Sequence, residues 1–320
     1  MTSLDALVER ARELDKGSVA RLISLFEDRR PDAVRDRVRV LEQLDAEGRD
    51  RRCAVLGITG TPGSGKSTLV SALTVQMLSE REDLSIAVVA VDPSSHVSGG
   101  SLLGDRTRMR FVPDERRLFF RSQASETDLG GLGPASFQVC RLLSRLFDCV
   151  IIETVGIGQS EADIRHLADR VYLVLQPLGG DEVQFLKAGI IEVPHVFVLN
   201  KCDEPSSEVS YHQLRSSMWL ARPFDEAPPP IHRTSATTGE GLDGLRADLL
   251  GAIDSATGCS LARREPYFFE RWVDDEWGRV GGRVLVDELG GAEAYLSSCG
   301  GYDRAQLDFG ARVRASLSRS

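Results

Sequence analysis

The chain has 320 residues, of which 42% are hydrophobic and 27% charged, as in an ordinary soluble globular protein with room for a large domain and extensions. Its formal net charge of −9 argues against a general nucleic-acid binder, which would carry a basic face. The charged N-terminus lacks the apolar core of a secretory signal, and the apolar runs are too short to cross a membrane. We therefore expect a cytoplasmic protein with neither nucleic acid nor membrane as its partner.

The pattern of apolar residues changes twice along the chain. Residues 1–50 carry Leu, Val and Ile at helical spacing, which predicts two or three amphipathic helices. From Cys53, short runs that are apolar on both faces alternate with helical segments, as in a mostly parallel sheet covered by helices. After Pro266 the spacing is again helical. The predicted parts are an N-terminal helical extension (1–50), an α/β domain (51–257) and a C-terminal helical appendage (258–320) that could be a dimerisation arm.

The strongest motif is GTPGSGKS at residues 60–67, which fits G-x-x-x-x-G-K-[ST] between a predicted strand and a predicted helix. Its glycines let backbone N–H groups turn toward phosphates, and the helix N-terminus adds partial positive charge. The motif predicts a P-loop NTPase fold, with Lys66 on the β- and γ-phosphates and the Ser67 hydroxyl on Mg²⁺. The predicted nucleotide contacts here are Gly60, Thr61, Pro62, Gly63, Ser64, Gly65, Lys66, Ser67 and Thr68.

A second motif, NKCD at residues 200–203, indicates which base is bound. It follows an apolar predicted strand and has the N-K-x-D form with which GTPases recognise guanine. The Asp203 carboxylate can accept from both N1–H and N2–H₂ of guanine, whereas adenine has no such donor pair. Ser235 and Ala236, at the end of the next strand, would offer backbone N–H groups to guanine O6. The predicted guanine contacts are Asn200, Lys201, Asp203, Ser235, Ala236 and Thr237.

Acidic residues end two apolar strands that could lie beside the phosphate loop. Asp92 ends SIAVVAVD and Glu153 ends DCVIIE. Such an acid often only caps a helix, but next to a phosphate loop it suits a Mg²⁺ ligand or a residue that holds a metal-bound water. The segment ETVG, residues 153–156, takes the place of the D-x-x-G motif, so the Gly156 N–H would contact the γ-phosphate. The predicted catalytic residues are Lys66, Glu153 and Gly156.

Hydrolysis needs a positioned water and neutralisation of charge on the transferred phosphoryl group. Ile157 stands where Ras-like GTPases have a glutamine, and Gln159 could replace it only with a different geometry. Arg106, Arg108 and Arg121 are candidate charge stabilisers, although each is equally well explained as a solvated surface arginine. We therefore expect slow intrinsic hydrolysis that a dimer mate or a partner completes.

Three longer segments resemble the MeaB/ArgK family, the GTPases associated with methylmalonyl-CoA mutase and related cobalamin-dependent acyl-CoA mutases. They are residues 91–109, 153–161 and 179–189, and the similarity covers roughly residues 50–255. The resemblance implies the SIMIBI class of P-loop proteins, many of which are dimers, so a homodimer is expected. It also implies a chaperone in which GTP binding and hydrolysis gate adenosylcobalamin delivery, protect the mutase and help eject damaged cofactor.

The same resemblance assigns roles to single residues. It implies that residues 94–109 are switch I, 153–161 switch II and 179–187 a partner-sensing switch III. This chain departs from the family in the acidic lead-in at residues 126–128 and in the tail after about residue 267. The implied Mg²⁺ ligands or switching residues are Ser67, Asp92, Asp105 and Glu153, and the implied communication residues are Asp181, Glu182, Gln184 and Lys187.

Three other functions compete with this one. A metallochaperone GTPase of the HypB, UreG or CobW kind would need a Cys/His site, yet the six cysteines and five histidines do not cluster in sequence. A kinase acting on a small molecule or a transport protein is disfavoured because N-K-x-D argues against ATP. A binding module with an inactive GTPase site is the third. Which mutase is the client stays open.

Overall fold

The computed structural model describes residues 3–46, 52–92, 115–124, 132–154, 160–177, 193–221, 228–256 and 260–317. These residues form two compact units. The sheet unit takes residues from 52–132 and 147–257, and the helical unit takes residues from 1–51, 133–146 and 258–320. Residues 133–146 fall inside the segment assigned from sequence to the α/β domain, but the structure groups them with the two terminal segments. Within the described ranges no helix is long and apolar enough to cross a membrane.

A parallel sheet of seven strands, in the order β3-β2-β4-β1-β5-β6-β7, forms the centre of the sheet unit. β1 and β4 are buried along their whole length, as their apolar sequences predict. The α/β prediction is therefore confirmed. The strands are β1 (Ala54–Gly60), β2 (Ile86–Asp92), β3 (Leu118–Ala124), β4 (Cys149–Thr154), β5 (Arg170–Leu175), β6 (Val196–Leu199) and β7 (Ile231–Arg233).

Helices cover the sheet and build the second unit. In the described part of the chain they are α1 (Leu4–Arg12), α2 (Lys16–Glu27), α3 (Pro31–Ala46), α4 (Lys66–Glu80), α5 (Pro134–Leu143), α6 (Ser160–Leu167), α7 (Ser207–Ala221), α8 (Leu242–Asp254), α9 (Glu265–Arg283), α10 (Ala292–Cys299) and α11 (Tyr302–Leu317). A 3₁₀-helix (Ser260–Arg264) and a π-helix (Val284–Glu288) flank α9. α4 and α8 pack on one face of the sheet, where Leu69 and Leu245 join a buried cluster with Ile58. Because all seven strands are parallel, their carboxyl ends lie together at one edge of the sheet.

The parallel topology brings the sequence motifs to that edge. β1 leads into the phosphate loop and then α4, and Glu153 is the second-to-last residue of β4. β6 runs directly into Asn200, and the Asn200 N–H donates to the Leu175 carbonyl at the end of β5 (2.9 Å). Ligands of such sheets bind beyond the carboxyl ends of the strands. Motifs far apart in sequence therefore share one location.

The helical unit has an aromatic core of its own. Phe137 of α5 stacks on Phe268 of α9 with ring centroids 4.5 Å apart, and the Tyr302 hydroxyl donates to the Phe268 carbonyl (3.0 Å). Phe309 of α11 meets Phe269 edge to face. Stacked and edge-to-face rings bury large apolar areas in specific geometry. The N-terminal extension and the C-terminal appendage predicted from sequence are both helical.

Beside this core lies a buried charge cluster. The Arg141 guanidinium donates to Asp303 at 2.6 Å and lies 3.4 Å from Glu265, while Arg37 lies 3.4 Å from the other Asp303 oxygen. Burial lowers the pKa of Arg37, whereas at Arg141 the effect of burial is outweighed by Asp303 and Glu265, so the pKa of Arg141 rises. Asp303 is only 3% exposed and therefore compensates two buried cations.

We expect Asp303→Asn to lower the free energy of unfolding by about 3 kcal/mol, because removing one partner of a buried ion pair leaves the other charge uncompensated. Urea denaturation followed by circular dichroism measures this loss. Asp32→Asn is the matched control, since Asp32 pairs with Arg35 at a surface where its side chain is 94% exposed. A loss below about 1 kcal/mol for Asp303→Asn would contradict the role of Asp303 as the compensating charge.

Candidate nucleotide-binding site

Two glycines shape the phosphate loop. Gly60 ends β1 with φ +145°, and a Cβ there would lie 1.9 Å from the Val174 carbonyl oxygen of β5. Gly65 precedes α4 with φ +86°, and a Cβ there would lie 2.6 Å from the Asn200 side-chain nitrogen. Only glycine adopts these backbone angles without strain and tolerates such close neighbours. The loop can therefore pass between β5 and the NKCD motif.

Lys66 is held inside this loop. Its ammonium donates to the carbonyl oxygens of Gly60 (2.9 Å) and Thr61 (2.8 Å), and the residue is only 5% exposed. The Ser64 hydroxyl also donates to the Thr61 carbonyl (2.9 Å). A buried ammonium that donates to two neutral carbonyls can bind anionic phosphate oxygens, which are stronger acceptors than carbonyls.

Ser67 and Glu153 form an oxygen pair next to the loop. The Ser67 hydroxyl donates to a Glu153 carboxylate oxygen at 2.6 Å, and Glu153 is 1% exposed. Glu153 stands opposite Ile58 in the register of β4 and β1, which places it one strand from the loop. Hydroxyl and carboxylate oxygens are ligands that Mg²⁺ prefers, so this pair fits a magnesium site. Asp92 ends the neighbouring strand β2, but its side chain, like all of Asp105, lies outside what the structure describes.

Asn200 connects the phosphate loop to the loop after β7. Its amide nitrogen donates to the Ser64 carbonyl (2.8 Å), and its amide oxygen accepts from the Ala236 N–H (3.2 Å) and the Thr234 hydroxyl (3.3 Å). Asn200 is 1% exposed. One side chain thus fixes three segments that are up to 172 residues apart, from Ser64 to Ala236.

The rest of the guanine motif lies at the rim of the site. Lys201 has a left-handed backbone, with φ +61°, and its ammonium donates to the Gln176 amide oxygen (2.7 Å). Asp203 and Thr237 are exposed, whereas Ser235 is buried. The N–H groups of Ser235 and Ala236, expected from sequence to meet guanine O6, donate instead to the Glu240 carbonyl and to Asn200. An O6 contact through them would require these hydrogen bonds to be exchanged.

No role was predicted from sequence for Gln176, Thr59 or Thr154. The Thr154 hydroxyl donates to the Thr59 hydroxyl (2.9 Å), and both residues are buried at the ends of β4 and β1. A polar residue at the carboxyl end of an otherwise apolar strand was the signal for all three. Arg121 lies on β3, so β2 and β4 separate it from β1. The remaining candidates fall outside the described residues: Arg106, Arg108, Gly156, Ile157, Gln159, Asp181, Glu182, Gln184 and Lys187.

The cysteines of the described ranges are free thiols. Burial raises the pKa of the Cys202 thiol within the NKCD motif, and the nearby Glu240 carboxylate raises it further. Cys202 therefore stays protonated at neutral pH. Over the part of the chain that the structure describes, no three His, Cys, Asp or Glu side chains are grouped so that they could hold a metal ion.

Comparison with known proteins places the chain in a family. The model of the family described as methylmalonyl-CoA mutase-associated GTPase MeaB matches residues 19–269. The GTPase ArgK of Escherichia coli is 37% identical over 247 residues, which cover 74% of this chain and 72% of ArgK. A mitochondrial methylmalonic aciduria type A homolog of Caenorhabditis briggsae is 31% identical over 285 residues, covering 85% and 68% of the two chains.

Among solved structures, an LAO/AO transport system kinase superposes with a TM-score of 0.63 at 24% identity, covering 89% of this chain and 86% of that one. At this identity the likeness supports the fold alone. The sequence relatives, together with the phosphate loop and the guanine motif joined by Asn200, identify the activity. The chain belongs to the MeaB family of methylmalonyl-CoA mutase-associated GTPases, and it is a GTPase.

Proposed function

We propose that this GTPase is a chaperone of a cobalamin-dependent acyl-CoA mutase, in which GTP binding and hydrolysis gate adenosylcobalamin delivery and protect the mutase. The family description, which names association with methylmalonyl-CoA mutase, supports the partner. The observation that supports a nucleotide-controlled switch is the pair of hydrogen bonds by which Asn200 connects the phosphate loop to the base-binding segments. Through such a bridge, binding of either end of the nucleotide affects the other.

In this proposal the phosphate loop, residues 60–68, holds the phosphates through its N–H groups and Lys66. Lys66 exchanges the neutral carbonyls of Gly60 and Thr61 for charged phosphate oxygens, since charge-assisted hydrogen bonds are roughly twice as strong. Asp203 reads the guanine edge. Lys201 lies beside the base.

Ser67, Asp92, Asp105 and Glu153 are the proposed magnesium residues, acting as ligands or by holding metal-bound waters. When bound, Mg²⁺ would neutralise developing charge on the phosphate oxygens. The Ser67 hydroxyl, which donates to Glu153, would turn its oxygen lone pair toward the ion.

We propose that hydrolysis depends on a partner because the sequence lacks the water-orienting glutamine of Ras-like GTPases. Ile157 cannot orient water, so we propose slow intrinsic hydrolysis that a dimer mate or the mutase accelerates. Residues 94–109, 153–161 and 179–187 are the proposed switches, and a homodimer is the proposed assembly. The Gly156 N–H, within the second of these switches, would contact the γ-phosphate.

The test is GTP hydrolysis by the purified protein, alone and with each candidate cobalamin-dependent acyl-CoA mutase, with ATP as the control nucleotide. We expect slow GTP-specific turnover that one mutase raises at least about ten-fold, since stimulation of GTPases by partners often far exceeds this factor. The same mutase with the Lys66→Ala variant is the blank that excludes contaminating activity. GTP turnover that no mutase changes would refute the chaperone proposal and leave the GTPase activity standing.

A further inference from the structure

Gln176 occupies a position between the two ends of the nucleotide site. It directly follows β5, which ends at Leu175 beside Asn200. Its amide oxygen accepts a hydrogen bond from the Lys201 ammonium at 2.7 Å. The same oxygen lies 3.9 Å from where a Cβ of Gly63 would stand in the phosphate loop. The side chain is half-buried, so this contact is partly shielded from water.

Lys201 needs an anchor for two reasons. Its φ of +61° is a left-handed conformation, which residues other than glycine adopt at a cost. Its side chain also has four rotatable bonds and loses much rotamer freedom when it is fixed. A hydrogen bond at the ammonium fixes the whole alkyl stem in one direction. Without that bond the stem would be free to move away from the base-binding surface.

We propose that Gln176 is a positioning residue of the guanine site, which holds the Lys201 ammonium so that the lysine stem forms one side of the base-binding surface. This inference rests on the proposed assignment of the NKCD motif to guanine. Gln176 acts through Lys201, and it takes no part in phosphate cleavage.

The consequence is a separation of affinity from turnover. Gln176→Leu keeps the size of the side chain but removes the acceptor, so we expect GDP affinity to fall about ten-fold and the KM for GTP to rise similarly. The value of kcat should change less than about two-fold, because the phosphate loop is not altered. Gln176→Glu, which retains an acceptor at the same distance, should restore GDP affinity to within about three-fold.

A double-mutant cycle with Lys201→Met tests whether Gln176 acts through Lys201. GDP affinity is measured by titration of a fluorescent GDP into the full-length protein. If the inference holds, Gln176→Leu weakens GDP about ten-fold in the wild type and less than about two-fold in the Lys201→Met background. Gln213→Leu makes the same change at an exposed glutamine on α7, outside the NKCD motif and the phosphate loop, so it is the matched control and should bind GDP like the wild type.

Each outcome decides the inference. Equal losses in both backgrounds, or no loss from Gln176→Leu alone, would overturn it. So would a Gln176→Leu protein whose kcat falls as much as its affinity, because that result indicates a general disturbance of the site. Asp203→Asn, measured in parallel, separates this inference from the assignment beneath it. If Asp203→Asn loses GDP while Gln176→Leu does not, the guanine motif stands and only the role of Gln176 fails.

Discussion

Lys66→Ala will lower GTP turnover by at least about a thousand-fold, because the variant lacks the ammonium that neutralises charge on the transferred phosphoryl group. The structure holds this ammonium on two loop carbonyls, 2.8 and 2.9 Å away, within the loop that precedes α4. Exchange of these carbonyls for phosphate oxygens would bring the ammonium to the transferred group. Phosphate release under single-turnover conditions at saturating GTP measures the effect directly.

The control for this variant must separate chemistry from folding. Losing the two hydrogen bonds of the buried Lys66 ammonium also costs stability, so thermal unfolding of nucleotide-free Lys66→Ala has to be measured alongside. Ser79→Ala, at the exposed end of the same helix, should leave turnover unchanged. Turnover within about ten-fold of the wild type in a folded Lys66→Ala protein would show that Lys66 does not contact the reacting phosphate.

Much of the sheet unit could be predicted from sequence because its strands are locally unambiguous. β1 and β4 are short apolar runs with polar side chains near their carboxyl ends, and the strands lie where those runs stand. The strand order could not be predicted in this way, since it depends on which runs pair. The grouping of α5 with the helical unit was equally hidden, because contacts such as Phe137 on Phe268 join segments 131 residues apart.

The candidate site likewise contains residues that could be predicted from sequence and contacts that could not. Residues within motifs, such as Lys66 and Asn200, were found because their spacing is diagnostic. The Thr59–Thr154 hydrogen bond depends on the register of β1 against β4, and its partners are 95 residues apart. Gln176 and Lys201 meet only because β5 and β6 are neighbours. Contacts of this kind carry no sequence signal until the sheet is assembled.

Replacing the Asp203 carboxylate with an amide should change the base preference of the site from guanine towards xanthine. In Asp203→Asn the carboxylate that can accept from N1–H and N2–H₂ of guanine is replaced by an amide that accepts one bond and donates another. Xanthine has a carbonyl oxygen where guanine has the amino group, so the amide matches it. We expect the ratio of GDP to xanthosine diphosphate affinity to fall by about 10⁴, the range seen when a site leaves a polar group unpaired.

The structure makes this variant an unusually clean test of the guanine motif. Asp203 is exposed at the rim, so its replacement should not change the stability of the nucleotide-free protein. Glu204→Gln removes the adjacent exposed carboxylate and should keep the guanine preference, which excludes a general effect of lost negative charge. Competition titrations with both nucleotides decide the matter. If Asp203→Asn still prefers GDP as strongly as the wild type, guanine is recognised by other residues. The Ala236 loop, whose N–H donates to Asn200, would then be the next candidate for that recognition.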